Sequence, residues 1–189
     1  MSTPVAVKEA FEPLTALPPS FSIIGDETLA RRIVPDDAQS LAEIIARNPD
    51  INRYMTWAAQ VSDQGEVVPA LQRRSTTDMV GRYVIVHQDP VVGYIGISPN
   101  PGTDGEYSIG YCLDSSVRGK GIAGKALEAM VQTAKAILSP KQLYLNIAPE
   151  NATSIAIATK HGFQSTDEPI WDADLGLHEQ RFRLEMNDD

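Results

Sequence analysis

The chain has 189 residues, 42% hydrophobic and 22% charged, with a formal net charge of −9. That describes one soluble domain able to bury about 70% of its unfolded surface, and the acidic balance argues against a general nucleic-acid binder while suiting a cationic partner as readily as it serves solubility. A single cysteine excludes an intrachain disulfide and fits a reducing compartment; no apolar run reaches membrane-span length, the first 20 residues lack a secretory layout, and a cytoplasmic location is expected.

Residues 1–20 hold Pro4, Pro13, Pro18 and Pro19 and are expected to form a flexible arm, leaving 21–189 as one domain. Thr28 to Val34 predicts a strand. Pro35-Asp36-Asp37 then opens a helix, with proline at the start and acids in the first turn. Leu41, Ile44 and Ile45 give that helix its apolar stripe, and Asn48-Pro49 ends it. A short second helix is expected over 51–57 and a polar one over 63–79. Arg82–His87 and Val91–Ile97 pair across Gln88-Asp89-Pro90. After a turn cluster at 99–105, Glu106–Leu113 is a third antiparallel candidate.

A glycine loop follows, then a helix with apolar residues at Ile122, Ala126, Leu127, Met130, Val131, Ala134, Ile137 and Leu138. Strand 142–147, helix 151–161 and a last strand near 178–186 complete a mixed α/β (α+β) sheet. No internal repeat is present.

The loop is Val117-Arg118-Gly119-Lys120-Gly121-Ile122-Ala123-Gly124. Glycines let a ligand approach the backbone, and free N–H groups with the positive end of a helix dipole favour an anion. A cofactor carrying a pyrophosphate is therefore the first expectation. Gly119-x-Gly121-x-x-Gly124 matches the dinucleotide fingerprint, but Asp114 to Arg118 separate it from the strand, and no acid stands near Ser139 or Lys141 to hold a ribose. Gly119-x-x-x-x-Gly124-Lys125 approaches the phosphate loop of nucleotide hydrolases, but Ala126 stands where a hydroxyl should hold magnesium.

Arg118-x-x-Gly121-x-Ala123 resembles the pyrophosphate loop of the GNAT superfamily of N-acetyltransferases. Downstream, Asn151-x-x-Ser154, an Ala/Ile-rich helix and Gly162-Phe163 resemble that superfamily's second block, in the same order and spacing. Ser108-Ile109-Gly110-Tyr111 and Asn52 to Trp57 are similar to the Rim-type branch, which acetylates the N-termini of ribosomal proteins. The resemblance covers about residues 27–186. It implies a single-domain fold with a mostly antiparallel central sheet flanked by helices and splayed at the cofactor site. It further implies acetyl transfer from acetyl-CoA, as co-substrate, to a primary amine.

On that resemblance, backbone N–H groups of Gly119, Lys120, Gly121, Ile122, Ala123 and Gly124 hold the pyrophosphate, with Arg118, Lys120 and Lys125 adding charge. The pantetheine arm pairs with the strand around Tyr111, Cys112 and Leu113, and an N–H near Leu113 faces the developing oxyanion. Asn151 either caps the helix or meets the pantetheine amides. Many relatives place a tyrosine acid where this chain has Ala158, so Ser154 is the substitute, against a role in helix capping. Some relatives place a glutamate base where this chain has Asn146, which can hold a water but not take a proton. Glu106 is then the best acid on a central strand, against an exposed strand-end carboxylate. Asp172, Asp174, His178 and Glu179 stand near the substrate mouth.

Tyr54 and Trp57 line the acceptor groove or serve the core. Cys112 admits an acetyl-cysteine reading, although a small core residue is its commoner role. His87, His161 and His178 have no metal-ligand spacing, so no metal is expected. An α-amine near pKa 7.7–8.0 needs less help from a base than a lysine near 10.4, which tilts the acceptor toward N-terminal amines. A small-amine (polyamine or aminoglycoside) acetyltransferase and a non-catalytic acyl-CoA sensor remain open. The assembly expected is a monomer or homodimer, with neither nucleic acid nor membrane as a partner.

Overall fold

The computed structural model describes residues 16–25, 27–55, 58, 81–100, 102–173 and 175–186. In chain order these form β1 (Ser20–Ile24), β2 (Thr28–Arg32), α1 (Asp37–Arg47), α2 (Pro49–Tyr54), β3 (Gly81–His87), β4 (Val91–Pro99) and β5 (Glu106–Leu113). Then come α3 (Ile122–Leu138), β6 (Gln142–Ile147), α4 (Ala152–Lys160), β7 (Gln164–Asp172) and β8 (Leu177–Glu185). The described strands make one 8-stranded sheet ordered β1-β2-β3-β4-β5-β6-β8-β7. Every pairing is antiparallel except β5 with β6.

Period-2 alternation assigns the strands' side chains to two faces. On one face α3 buries Ile122, Ala126, Leu127, Met130, Val131 and Ala134 against Ile95, Ile97, Ile109, Leu143, Leu145 and Phe182. Each such large apolar side chain, fully buried, is worth about 1.5–3 kcal/mol. On the other face Leu41, Ile44, Ile45 and Ile51 of α1 and α2 pack on Val84, Tyr94 and Cys112. The expected α3 stripe holds through Ala134, with Leu138 partly buried against the same core; Ile137 departs from it at 39% exposed, near the end of the helix at a left-handed Ser139.

Three expectations change. Residues 16–20 of the expected arm belong to the fold: Leu17 is buried, and the carbonyls of Leu17, Pro18 and Pro19 accept from the Arg32 side chain, the Tyr83 hydroxyl and the Arg32 N–H. The second helix starts earlier than expected, at Pro49, where a proline's missing N–H costs nothing. β1 and β7 are strands that the sequence pattern does not announce. β7 is a sheet edge carrying Pro169, a bulge between Ser165 and Pro169, and Asp167 at φ +58°. An edge strand tolerates all three, and together they erase alternation. The polar helix expected over 63–79, with Thr56, Trp57 and Asp174, lies outside the described residues.

The feature that positions the site is where β5 and β6 part. They pair only through Glu106–Gln142, Tyr107–Leu143 and Ser108–Tyr144. Beyond that β5 stays with β4 as far as Leu113–Gly93, and β6 stays with β8 as far as Ile147–Gln180. The sheet opens as a V whose free edges are the C-terminal halves of two parallel strands.

Candidate active site

The loop after β5 is held from behind by α1. The Asp114 carboxylate accepts from Arg47 at 2.7 Å and from the Ser116 N–H at 2.9 Å. Buried Asn48 accepts the Ser115 N–H at 2.9 Å and donates to the Ile44 carbonyl at 2.7 Å. Burial alone would raise the Asp114 pKa; the hydrogen bonds from Arg47 and Ser116 overrule it and hold the carboxyl below its ordinary value. After one 3-10 turn, Ser115–Val117, the chain bends through Gly119 at φ +79° and Gly121 at φ +78°. An added Cβ at either glycine would meet nothing within 4 Å. Backbone conformation and an open approach, not internal packing, are what call for glycine there.

Gly121 is the α3 N-cap and offers no side chain. The Lys125 N–H is the first to turn back, to the Gly121 carbonyl at 3.2 Å, so helix geometry leaves the N–H groups of Ile122, Ala123 and Gly124 pointing outward. Lys120 and Lys125 are exposed beside them. Arg118, expected to add charge at the diphosphate, is engaged elsewhere: Nε donates to the Leu113 carbonyl at 3.0 Å, and the guanidinium pairs with Asp50 of α2 at 2.8 Å. Gly124 has a packing role, since a Cβ there would stand 2.8 Å from His161 Nε2 at the end of α4.

The two faces of the V differ in chemistry. On the α3/α4 face Tyr111 packs against the core, and its hydroxyl is buried with no hydrogen-bond partner among the described residues. Burial raises the phenol pKa, and the neighbouring Ser154 side chain offsets part of that. Asn151 caps α4, its Oδ1 accepting the Ser154 N–H at 3.2 Å. Capping thus falls to Asn151 and not to the Ser154 hydroxyl. The sequence marks Tyr111 through its place on the strand expected to meet pantetheine and through Ser108-Ile109-Gly110-Tyr111, and does not single out its side chain.

Cys112 and Gly110 face the other way, toward α1 and α2. Burial pushes the Cys112 thiol up to about 12, which leaves almost no thiolate at neutral pH and counts against the acetyl-cysteine reading. Across the gap, on the face that Cys112 shares, Asn146 stands opposite Arg181. The Arg181 guanidinium lies 4.4 Å from the Tyr144 ring centroid, and its Nε donates to Asn146 Oδ1 at 3.4 Å. Two residues along the same face of β8 is Glu179, just past the last β6–β8 pair and therefore at the open end of the V. Glu179 is 7% exposed. Burial, with Asp172 of β7 second, raises its pKa to about 7.

Glu106, the expected base, is set at the first β5–β6 pair, the closed end of the V. At about 3.3 Å per residue it lies roughly 20 Å along β5 from Cys112. Its charge acts on Tyr144 and Lys141 there. The structure therefore does not bring Glu106 to Ser154, while it does bring Asn146 and Glu179 to one wall. Trp171 and His178 meet edge to face at 4.9 Å on the β7–β8 hairpin. Tyr54 is half-buried at the end of α2, under Arg53. No group of three metal-ligating side chains gathers among the described residues, and no described helix is long and apolar enough to cross a membrane.

An anion-receiving helix start beside a parted sheet, with polar groups on both faces of the gap, defines an acyl-transfer site of the splayed-sheet kind. The chain belongs to the acetyltransferase (GNAT) domain family, which matches residues 28–164. It is 25% identical over 138 residues to an uncharacterised N-acetyltransferase, p20, of Bacillus licheniformis, covering 71% of this chain and 77% of that one. Its fold is similar to the microcin C7 self-immunity acetyltransferase MccE, solved with acetyl-CoA and AMP: TM-score 0.75 at 18% identity, over 92% of this chain and 99% of that one. It is also similar to the Salmonella typhimurium enzyme that modifies the N-terminal serine of ribosomal protein L7/L12: TM-score 0.73 at 17% identity, over 89% and 99%.

Proposed function

We propose that this protein transfers an acetyl group from acetyl-CoA to the α-amine of a protein N-terminus. The observation that carries the reading is the parting of β5 and β6 next to the uncapped start of α3. The N–H groups from Gly119 to Gly124, with Lys120 and Lys125, hold the diphosphate. Arg118 keeps the loop closed on Leu113 and Asp50. The free edge of β5 at Cys112 and Leu113 receives the pantetheine amides, and Asn151 contributes its amide nitrogen. Acetyl-CoA supplies the activated thioester. The Leu113 N–H faces the carbonyl oxygen as charge develops there.

On the opposite face Glu179 accepts the proton of the attacking amine, directly or through a water held by Asn146. A base titrating near 7 is matched to an α-amine near 7.7–8.0 far better than to a lysine near 10.4. The formal charge of −9 favours a cationic acceptor.

Thiol release from acetyl-CoA across N-terminal peptides, polyamines and aminoglycosides tests this. Turnover with peptides alone is expected. Turnover only with small amines removes the N-terminal assignment, and tight binding without acceptor-dependent release makes the chain a sensor. Gly121→Glu sets a carboxylate against the diphosphate at a left-handed position. It is expected to weaken CoA binding by at least about tenfold by calorimetry; undiminished affinity would contradict the loop assignment.

A further inference from the structure

Tyr111 is a buried polar group with no assigned task. It follows the last β5–β6 pair by only a few residues, on the stretch of β5 that has lost its β6 neighbour. Its side chain enters the face that also holds the start of α3 and the first turn of α4. Its hydroxyl is sealed from solvent, and among the described residues nothing accepts from it or donates to it. Native proteins rarely leave a buried hydroxyl unpaired, because the lost hydration costs about 1–3 kcal/mol. Such an orphan has a donor to offer to something that arrives. Ser154 is the one side chain close enough to bear on its titration, and the Ser154 N–H is already taken by Asn151. The two hydroxyls form a paired polar patch in an otherwise apolar wall.

The site has one position of that kind to fill. The amine and its proton acceptor belong to the face of Asn146 and Glu179. The diphosphate nest, Tyr111 and Ser154 belong to the other. A donor held by the nest and running along the free edge of β5 would bring its sulfur toward the second face.

We propose that the Tyr111 hydroxyl, assisted by Ser154, donates the hydrogen bond that receives the departing sulfur. This rests on the acetyl-transfer reading above. In that step the nitrogen–carbon bond forms and the carbon–sulfur bond breaks, with its electron pair going to sulfur. The amine's proton goes to the opposite wall, and the sulfur leaves as a thiolate hydrogen-bonded to Tyr111, which keeps its own proton. A phenol whose pKa is raised by burial stays a donor throughout the neutral range. This is the task that a tyrosine at position 158 would serve, now performed from the strand because Ala158 has no group to offer.

The test is the acidity of the bound CoA thiol, read from the ultraviolet absorbance of the thiolate in wild type, Tyr111→Phe and Ser154→Ala. A hydrogen bond to a charged group is worth about 10- to 100-fold in an equilibrium. Tyr111→Phe is therefore expected to raise the bound thiol pKa by about one to two units and to lower kcat about 10- to 100-fold. The KM for the amine and the neutral-pH affinity for CoA should hold within about threefold. Ser154→Ala gives a smaller shift in the same direction. A fluorotyrosine placed at 111, a stronger donor of the same shape, shifts the thiol pKa downward and keeps the fold readable if the phenylalanine variant melts. An unchanged thiol pKa in the Phe and fluorotyrosine variants overturns the role of Tyr111 alone. Failure of the wild-type protein to bind CoA at all defeats the acetyl-transfer reading, and the inference with it.

Discussion

Glu179 carries the sharpest residue-level consequence. Its folded-state pKa of about 7 lies above the ordinary 4.5, so the folded protein holds a proton that the unfolded chain releases. Stability therefore falls as pH rises across that window. Glu179→Gln removes this cost. It is expected to raise stability at pH 8 by about 1–3 kcal/mol in urea titrations while lowering kcat at least about 100-fold, as loss of a general base does. A variant that gains stability and keeps its rate would place the base elsewhere. Asp172→Asn takes away a negative neighbour and lets Glu179 ionise sooner. The acid limb of the pH profile of kcat/KM should then move to lower pH. Neither effect was visible in the sequence, where Glu179 was one of several acids near the mouth and Glu106 looked better placed. Rank among acids depends on burial and register, and both are set by strands far apart in the chain.

At the scale of elements, α3 and α4 meet where Gly124 faces His161. Alanine is worth about 1 kcal/mol more than glycine inside a helix, so Gly124→Ala would normally stabilise. Here the new methyl stands 2.8 Å from His161 Nε2, and the imidazole must move or the helices must separate. The single variant is expected to lose stability or break even. In a His161→Ala background the same change should recover about 0.5–1 kcal/mol, measured as a double-mutant cycle of urea midpoints. Purely additive effects would show that the contact carries no strain. Most of the elements were legible because their signals are local. The α3 stripe, the hairpin at Gln88-Asp89-Pro90 and the helix start at Pro35-Asp36-Asp37 follow from periodicity and turn chemistry within a few residues. β1 and β7 were not, because edge strands have one bonded neighbour and tolerate proline and bulges.

Across the whole molecule, two ion pairs tie α1 to the sheet. Asp37 takes two 2.7 Å hydrogen bonds from Arg31 and a third from the Val34 N–H; Asp114 pairs with Arg47. Burial pushes both carboxyl pKa values up, but the hydrogen bonds win and leave both below the ordinary 3.8. Their contribution is fully present above that value and is lost as pH falls through the depressed folded-state pKa. The urea midpoint should drop steeply below about pH 4. Asp37→Asn is expected to cost about 1–3 kcal/mol at pH 7, with the gap to wild type narrowing in acid. A gap independent of pH would mean that the pair acts through packing alone.

From the order of residues alone came the family, the glycine bend, the helix that follows it and the Asn151 cap of α4, because each rests on neighbours in the chain: a left-handed turn, an uncapped helix start, a side-chain oxygen one turn ahead. Which side chains confront one another across the gap was decided by tertiary structure. The parting of β5 from β6 and the register of β6 on β8 bring Tyr111 to Ser154, put Glu179 on the facing wall and leave Glu106 at the closed end. Those pairings join residues tens of positions apart, and the hydrogen-bonded ladder and core packing that select them exist only once the sheet has assembled.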